Sequence, residues 1–293
     1  MSDNNQAAPN PNAKKAKILK IVGTIAGLGA LYFIYDTVFF VSTDNAQIQA
    51  NTLILTSRVS GYVTKVSVEE GQKVKAGDVL VEIDSKDYMS RASETENEVG
   101  STQARLHDAE LNYKRIQDLY ASGAVSLQQR DSSLANFQEL SRKLKAQQNQ
   151  VEVSKHGLTD TVLRAPTDGV IARKSAELGM LANPGTPLVG FVSNDNRWVV
   201  ANFKETDLTR LKVGQKVEIA VDAVSGRTFH GEIENFYPST GAVFALLPPD
   251  NATGNFTKVV QRVPTRIKFI DVKKEDYDVL KAGLSVIVDV KVK

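Results

Sequence analysis

The feature that most constrains this chain is a repeat broken in the middle. Residues 61–81 read GYVTKVSVEEGQKVKAGDVLV, and residues 169–189 read GVIARKSAELGMLANPGTPLV. Aligned on their first glycines, Gly61, Gly71 and Gly77 match Gly169, Gly179 and Gly185, while Leu80-Val81 matches Leu188-Val189. Between the glycines the residues are Val-rich and alternate, the pattern of short half-buried strands. Glycines at such fixed offsets are expected where tight turns demand a positive φ. Each copy is too short to bury a core alone, so the two are expected to interlock as one small β-sandwich.

The stretch between the copies has a different period. The chain contains no proline between Pro11 and Pro166, and residues 86–161 are rich in Ala, Gln, Glu, Lys, Arg and Leu, which favour helix. Tyr88, Ala92, Thr95, Val99, Thr102, Leu106, Ala109, Tyr113, Ile116 and Tyr120 follow alternating steps of four and three. Farther on, Phe137, Leu144, Val151 and Leu158 recur every seventh residue, with Leu134 and Leu140 beside them. Both rows are narrow coiled-coil seams. Ala-Ser-Gly-Ala-Val-Ser at 121–126 interrupts them, so the arms are expected to fold back as an antiparallel helical hairpin, each roughly 50 Å long.

Upstream, residues 1–17 are polar and end in Lys14, Lys15 and Lys17, which reads as a disordered cytoplasmic tail. Residues 18–40 are apolar over a length that suits one transmembrane helix. Tyr32 and Tyr35 fit the far interface and the lysines the cytoplasmic one, which puts the rest of the chain outside. No small-x-small cleavage site follows in FFVSTDNAQ, and a buried core helix would not carry lysines at one end and no polar face. Downstream, WVVANF, KVEIAVDAV, TFHGEIENF, RVPTRIKFI and LSVIVDVKVK alternate with turn signals, the spacing of a small β-barrel over 193–293. Residues 41–52 are expected to add a strand to it, and Thr206–Leu211 a short helix capped by Thr206 or its neighbour. Phe244–Asn255, with Pro248-Pro249, reads as a long loop. Phe229, Phe236, Tyr237, Phe244 and Phe256 read as barrel core or as a substrate-contacting surface.

Several function classes are excluded or disfavoured. Thirty-six basic against thirty-four acidic side chains leave a charge of +2, too balanced for a dedicated nucleic-acid binder. Cysteine is absent and the three histidines, His107, His156 and His230, are isolated, which removes thiol catalysis and makes a metal cluster unexpected. No Ser/His/Asp set, HExxH, P-loop or GxGxxG is present, and Glu69/Glu70 and Glu94/Glu96/Glu98 lack a pocket that would tune a general acid. The chain reads as a non-enzyme without cofactor or metal. Asn251 and Asn255 match the glycosylation pattern, a match short enough that chance is the better account.

The paired half-motifs resemble the biotinyl and lipoyl carrier fold, in which a hairpin turn displays a modifiable lysine. Lys86 stands at that place here, but the turn is replaced by the helical insert. With the anchor, the hairpin and the β-rich C-terminal region, the order of elements resembles the membrane fusion proteins, periplasmic adaptors of bacterial tripartite exporters. Ser42-Thr43-Asp44-Asn45-Ala46 resembles the segment that follows the anchor in EmrA-type adaptors, and Arg164-Ala165-Pro166-Thr167-Asp168-Gly169 the entry to the second lipoyl half. Trp198–Thr206 and Phe244–Arg262 resemble EmrA-subfamily signatures. The resemblance spans residues 18–293. It implies a fold that is mainly β with a long helical hairpin: transmembrane helix (18–40), barrel strand (41–52), lipoyl-like half 1 (53–85), hairpin (86–161), lipoyl-like half 2 (162–192) and membrane-proximal barrel (193–293).

It also implies partners. Arg115, Leu119 and Ser126 resemble the R-x3-L-x6-S tip motif by which adaptors dock onto TolC-like outer-membrane channels. An Arg fork can bond carbonyls or carboxylates, a Leu can fill an apolar notch, and a Ser can bond backbone at a turn. The same three residues can equally be solvated, seam-supporting and helix-capping. The hairpin is shorter than in long-armed EmrA-type members. The implied function is to link an inner-membrane drug transporter, of the major-facilitator type, to the channel, as a trimeric or hexameric homo-oligomer in the bacterial inner membrane. The alternatives are an adaptor of protein secretion or ATP-driven export, and a carrier modified at Lys86.

Overall fold

The computed structural model describes residues 38–224, 226–240, 260–270 and 272–292. Of the expected anchor (18–40), residues 18–37 lie outside them, as do the loop at 244–255 and Phe244 and Phe256; its last residue, Phe40, instead begins the strand Phe40–Thr56. Among the described residues no helix is long and apolar enough to cross a membrane. The chain divides into two compact units, Asn51–Asp195 and the stretches up to Ala50 and from Asn196.

The first unit holds the interlocked repeats. Its strands are β2 (Gly61–Val66), β3 (Lys73–Val74), β4 (Val79–Ile83), β5 (Val162–Arg164), β6 (Gly169–Lys174) and β7 (Leu181–Ala182), with the ends of β1 (Phe40–Thr56) and β8 (Pro187–Lys204). The copies exchange partners. Gly61 and Tyr62 of β2 face Ala182 and Leu181 of β7, and Val74 and Lys73 of β3 face Gly169 and Val170 of β6. The hydrogen bonds repeat with the sequence: Gly71 N–H donates to Ile171 O (2.8 Å) and Gly179 N–H to Val63 O (2.8 Å). Likewise Gly77 N–H donates to Ala165 O and Gly185 N–H to Ser57 O. Leu80, Val81, Leu188 and Val189, the matched ends of the two copies, are fully buried beside Val63, Ile171 and Phe191.

The glycines serve two purposes rather than the one expected. Gly71, Gly77, Gly179 and Gly185 have φ of 82°, 87°, 80° and 90°, where a side chain is strained. Gly61 and Gly169 do not. They are strand residues under a neighbour: a Cβ on Gly169 would overlap the Phe191 ring and lie 2.5 Å from the Val192 carbonyl, and one on Gly61 would lie 2.7 Å from Ile83 Cγ2.

From β4 the chain runs into α1 (Lys86–Ala121) and returns along α2 (Leu127–Thr159). Ala92, Thr102 and Ala109 of α1 are buried, as are Ser133, Leu144, Val151 and Ser154 of α2. The rings of Tyr113 and Phe137 stack at 6.0 Å and 5°, and Lys155 reaches Glu96 at 2.9 Å. At the base, Tyr88 Oη donates to Ser60 O (2.9 Å). Lys86 is the first residue of α1, its backbone N–H bonded to Asp84 Oδ1 (3.1 Å). It therefore sits on a helix rather than on the displayed turn that a carrier lysine requires.

In the second unit, β1, β12 (Ser285–Lys291), β9 (Lys216–Val221), β10 (Thr228–Phe236), β11 (Arg262–Ile270) and β8 follow one another, and β1 also pairs with β8, closing a barrel. Closure removes the open edges that a small sheet would expose. Alternation fills the interior: Val217, Ile219 and Val221 of β9, Val286, Val288 and Val290 of β12, and Val199, Ala201 and Phe203 of β8 point inward. Phe229 joins this core, Phe236 packs against it half-buried, and Tyr237 is exposed.

Three boundaries differ from expectation. β1 runs to Thr56, past 52, because Leu53-Ile54-Leu55 continues the strand without a turn signal. β8 runs unbroken through 192/193, since no Gly or Pro interrupts FVSNDNRWVV. The segment expected as a helix at 206–211 is a 3-10 turn, Glu205–Arg210, with no side-chain cap; Thr206 Oγ1 instead lies 3.4 Å from Asp207 Oδ1. A second 3-10 turn, Lys274–Asp278, carries Asp276, whose carboxylate meets Arg227 at 2.7 Å.

Candidate functional site

The hairpin tip is built by ordinary helix-end chemistry. α1 ends with Ser122 as its cap, and Gly123 turns the chain at φ 78°. The N–H of Gly123 donates to Tyr120 O and that of Ala124 to Leu119 O, both at 2.9 Å, while Ser122 Oγ also donates to Leu119 O (2.9 Å). These bonds satisfy carbonyls that the helix end leaves open. Ser126, at φ −77° and ψ 157°, is the N-cap of α2; its Oγ accepts the N–H of Gln129 at 3.3 Å. Capping is thus an observed role of Ser126, by the mechanism that favours Ser at this position.

Arg115 and Leu119 are one turn apart on α1 and share a face. Both are exposed, Leu119 to 38%. Leu119 does not join the seam: the half-buried positions on this part of α1 are Tyr113 and Ile116. Among the described residues no carboxylate lies within ion-pair range of Arg115, whereas Lys114, beside it, is held by Glu110 at 2.7 Å. That contact keeps the Glu110 carboxyl below its ordinary range.

Two further side chains stand exposed at this end of the hairpin. Leu127, the first residue of α2, is 50% exposed, and the Tyr120 ring lies 5.3 Å from the Arg130 guanidinium. Leu127 escaped the sequence reading because it falls outside the heptad row; a Leu directly after an N-cap Ser, where no seam needs it, is the signal that was available. The tip therefore presents Arg115, a cation with no ion-pair partner among the described residues, on the same face of α1 as exposed Leu119. It can accept a partner that offers carbonyls or carboxylates next to an apolar notch. It holds no acid–base pair, and among the described residues no group of His, Asp or Glu is placed to hold a metal.

Comparison with known proteins fixes the family. Residues 51–189 match the CzcB-like barrel-sandwich hybrid domain, and residues 196–243 the CusB-like β-barrel domain. The colistin resistance protein EmrA of Acinetobacter baumannii is 30% identical over a region covering 88% of each chain. The chain belongs to the EmrA family of membrane fusion proteins. The multidrug export protein EmrA of Escherichia coli is 31% identical over 86% of this chain and 76% of its own. Two solved structures share the fold: the membrane fusion protein Spr0693 of Streptococcus pneumoniae, with TM-score 0.61 and 16% identity over 87% of this chain and 99% of that one, and a MacA–MexA chimera carrying the Pseudomonas aeruginosa MexA α-hairpin domain, with TM-score 0.59 and 25% identity over 87% and 82%. The barrel and the sandwich of this chain are those of an EmrA-family periplasmic adaptor.

Proposed function

We propose that this EmrA-family adaptor links an inner-membrane drug transporter of the major-facilitator type to a TolC-like outer-membrane channel. Residues 18–40 anchor it once in the inner membrane with the N-terminus cytoplasmic, the bulk lies in the periplasm, and trimers or hexamers form the conduit. It carries no catalytic step; energy coupling belongs to the transporter. The relatives' names, multidrug export protein and colistin resistance protein, support efflux of drugs or toxic small molecules as the task.

The observation that carries the docking part is the split in roles at the tip. Ser126 is used by the hairpin itself, whereas Arg115 and Leu119 stand exposed on one face of α1 and contribute little to its seam. A single central contact can carry a large share of binding energy. The test is drug tolerance in cells carrying Arg115→Ala, Arg115→Asp or Leu119→Ala at normal protein levels. Docking requires lost tolerance from folded protein, with Arg115→Asp worse than Arg115→Ala because it adds repulsion to a lost bond. Full tolerance with Arg115→Asp retires the docking role.

A further inference from the structure

The two ends of the barrel differ in chemistry. Phe40 pairs with Lys291, Val290 with Val217, Lys216 with Glu232, and Lys204 with Arg262. One end therefore gathers the start of β1, the turn 212–215 and the junction of β8 with β11. Val213, in a turn pinned by the bond from Lys212 N–H to Gln215 Oε1 (2.8 Å), is 61% exposed, and Val38 is 55% exposed. Lys204, Lys212, Lys216, Arg262 and Lys291 are exposed around them. Among the described residues the acids there are fewer: Glu205 and Asp207, with Glu232 and Glu234 already engaged by Lys268 and Arg266. At the opposite end, marked by Asp222, Val279 and Ser285, charges are matched, with Arg227 on Asp276 and the acids Asp222 and Asp278 against Lys273 and Lys281.

The basic end is also where residues 1–37 join. Residues 18–37, ILKIVGTIAGLGALYFIYDT, directly precede Val38, whose carbonyl accepts a bond from Arg210. The chain is thus bonded to the barrel at Val38, within the apolar stretch that runs on to Val41. We infer that this end of the barrel is a docking face for an anionic phospholipid surface, with Val213 and Val38 entering the headgroup layer and the surrounding Lys and Arg held against lipid phosphates. Cations are attracted to such a surface within about 8 Å at physiological salt, and an anchor joined directly to this end keeps it near the bilayer. The inference rests on the anchor reading above, which the experiment tests separately.

The chain has no cysteine, so single sites can be labelled in the full-length protein. Spin labels on Ala30→Cys, Val213→Cys and Val279→Cys are compared in nanodiscs of phosphatidylcholine, with and without phosphatidylglycerol, by collision with oxygen and with a water-soluble nickel chelate. Val279 is the control, an exposed valine (41%) at the opposite end. The expected result is a lipid-like signature at Ala30 in both lipids, and at Val213 a shift from nickel toward oxygen accessibility when phosphatidylglycerol is present, absent at Val279. Lys212→Glu with Lys216→Glu should abolish that shift while leaving Ala30 unchanged. An Ala30 label open to nickel defeats the anchor reading. A lipid-buried Ala30 with Val213 unresponsive to phosphatidylglycerol, or protected only when a transporter is added, overturns the lipid face alone.

Discussion

At the scale of the residue, Ser126 and Asp276 show how a side chain's role follows from what it bonds. Ser126 caps α2, so Ser126→Ala should lower hairpin stability by about 1 kcal/mol, read by thermal or denaturant unfolding. Arg115→Ala, an exposed position, should change stability by less than about 0.5 kcal/mol, which separates the supporting residue from the exposed one. Asp276 accepts both Arg227, at 2.7 Å, and the backbone N–H of Lys273, at 3.0 Å. The arginine bond, foremost, holds its carboxyl below the ordinary value. A carboxyl lowered on folding contributes stability that is complete above its unfolded value, about 3.9, and is lost as pH falls through the lower folded one. The barrel should therefore weaken in acid below about pH 4, and Asp276→Asn should lower stability at pH 7 while flattening that acid loss. Ser126 was legible as a cap because Ser precedes a helix-forming run. The Arg227–Asp276 pair was not, because it joins two turns far apart in sequence.

At the scale of the element, the repeat was the most legible feature, since every matched glycine and the paired Leu-Val ends occupy equivalent places in the sandwich. What the spacing could not separate is why each glycine is there. Gly71 and Gly179 answer to backbone sign, Gly61 and Gly169 to a side chain lying above them. The two causes have different consequences. Gly71→Ala has open space around its new methyl and should cost about 1 kcal/mol, from the strained φ. Gly169→Ala must displace Phe191 in the core and should cost more, up to about 3 kcal/mol, as measured by denaturant unfolding. The seam was legible in α1, where the expected row held the buried Ala92, Thr102 and Ala109, and in α2 only at its apolar positions, Leu144 and Val151. Ser133 and Ser154 are buried there, and Gln147 is half-buried, because helices pack closely over small side chains. Hydrophobic period alone passes over such positions. The register that threads β1 and β8 through both units was also hidden, because strand continuity leaves no turn signal to read.

At the scale of the whole molecule, the closed barrel, the interlocked sandwich and the paired helices are passive parts, and their value to an exporter lies in what they hold at a distance. An adaptor that encloses a conduit needs several copies about an axis, and cyclic closure is the usual solution. The chain in an assembled, working pump should therefore be trimeric or hexameric by mass measurement; a single copy per pump would contradict the conduit. The central claim is that the hairpin tip meets an outer-membrane channel. It is tested most directly in cells by a photoactivatable, thiol-attached crosslinker on Ala124→Cys, an exposed tip position outside the proposed contact and the only cysteine in the chain. The account requires an adduct with the channel that Arg115→Asp abolishes at unchanged protein level. Adducts confined to other copies of the chain or to the inner-membrane transporter, with none to the channel, would contradict it.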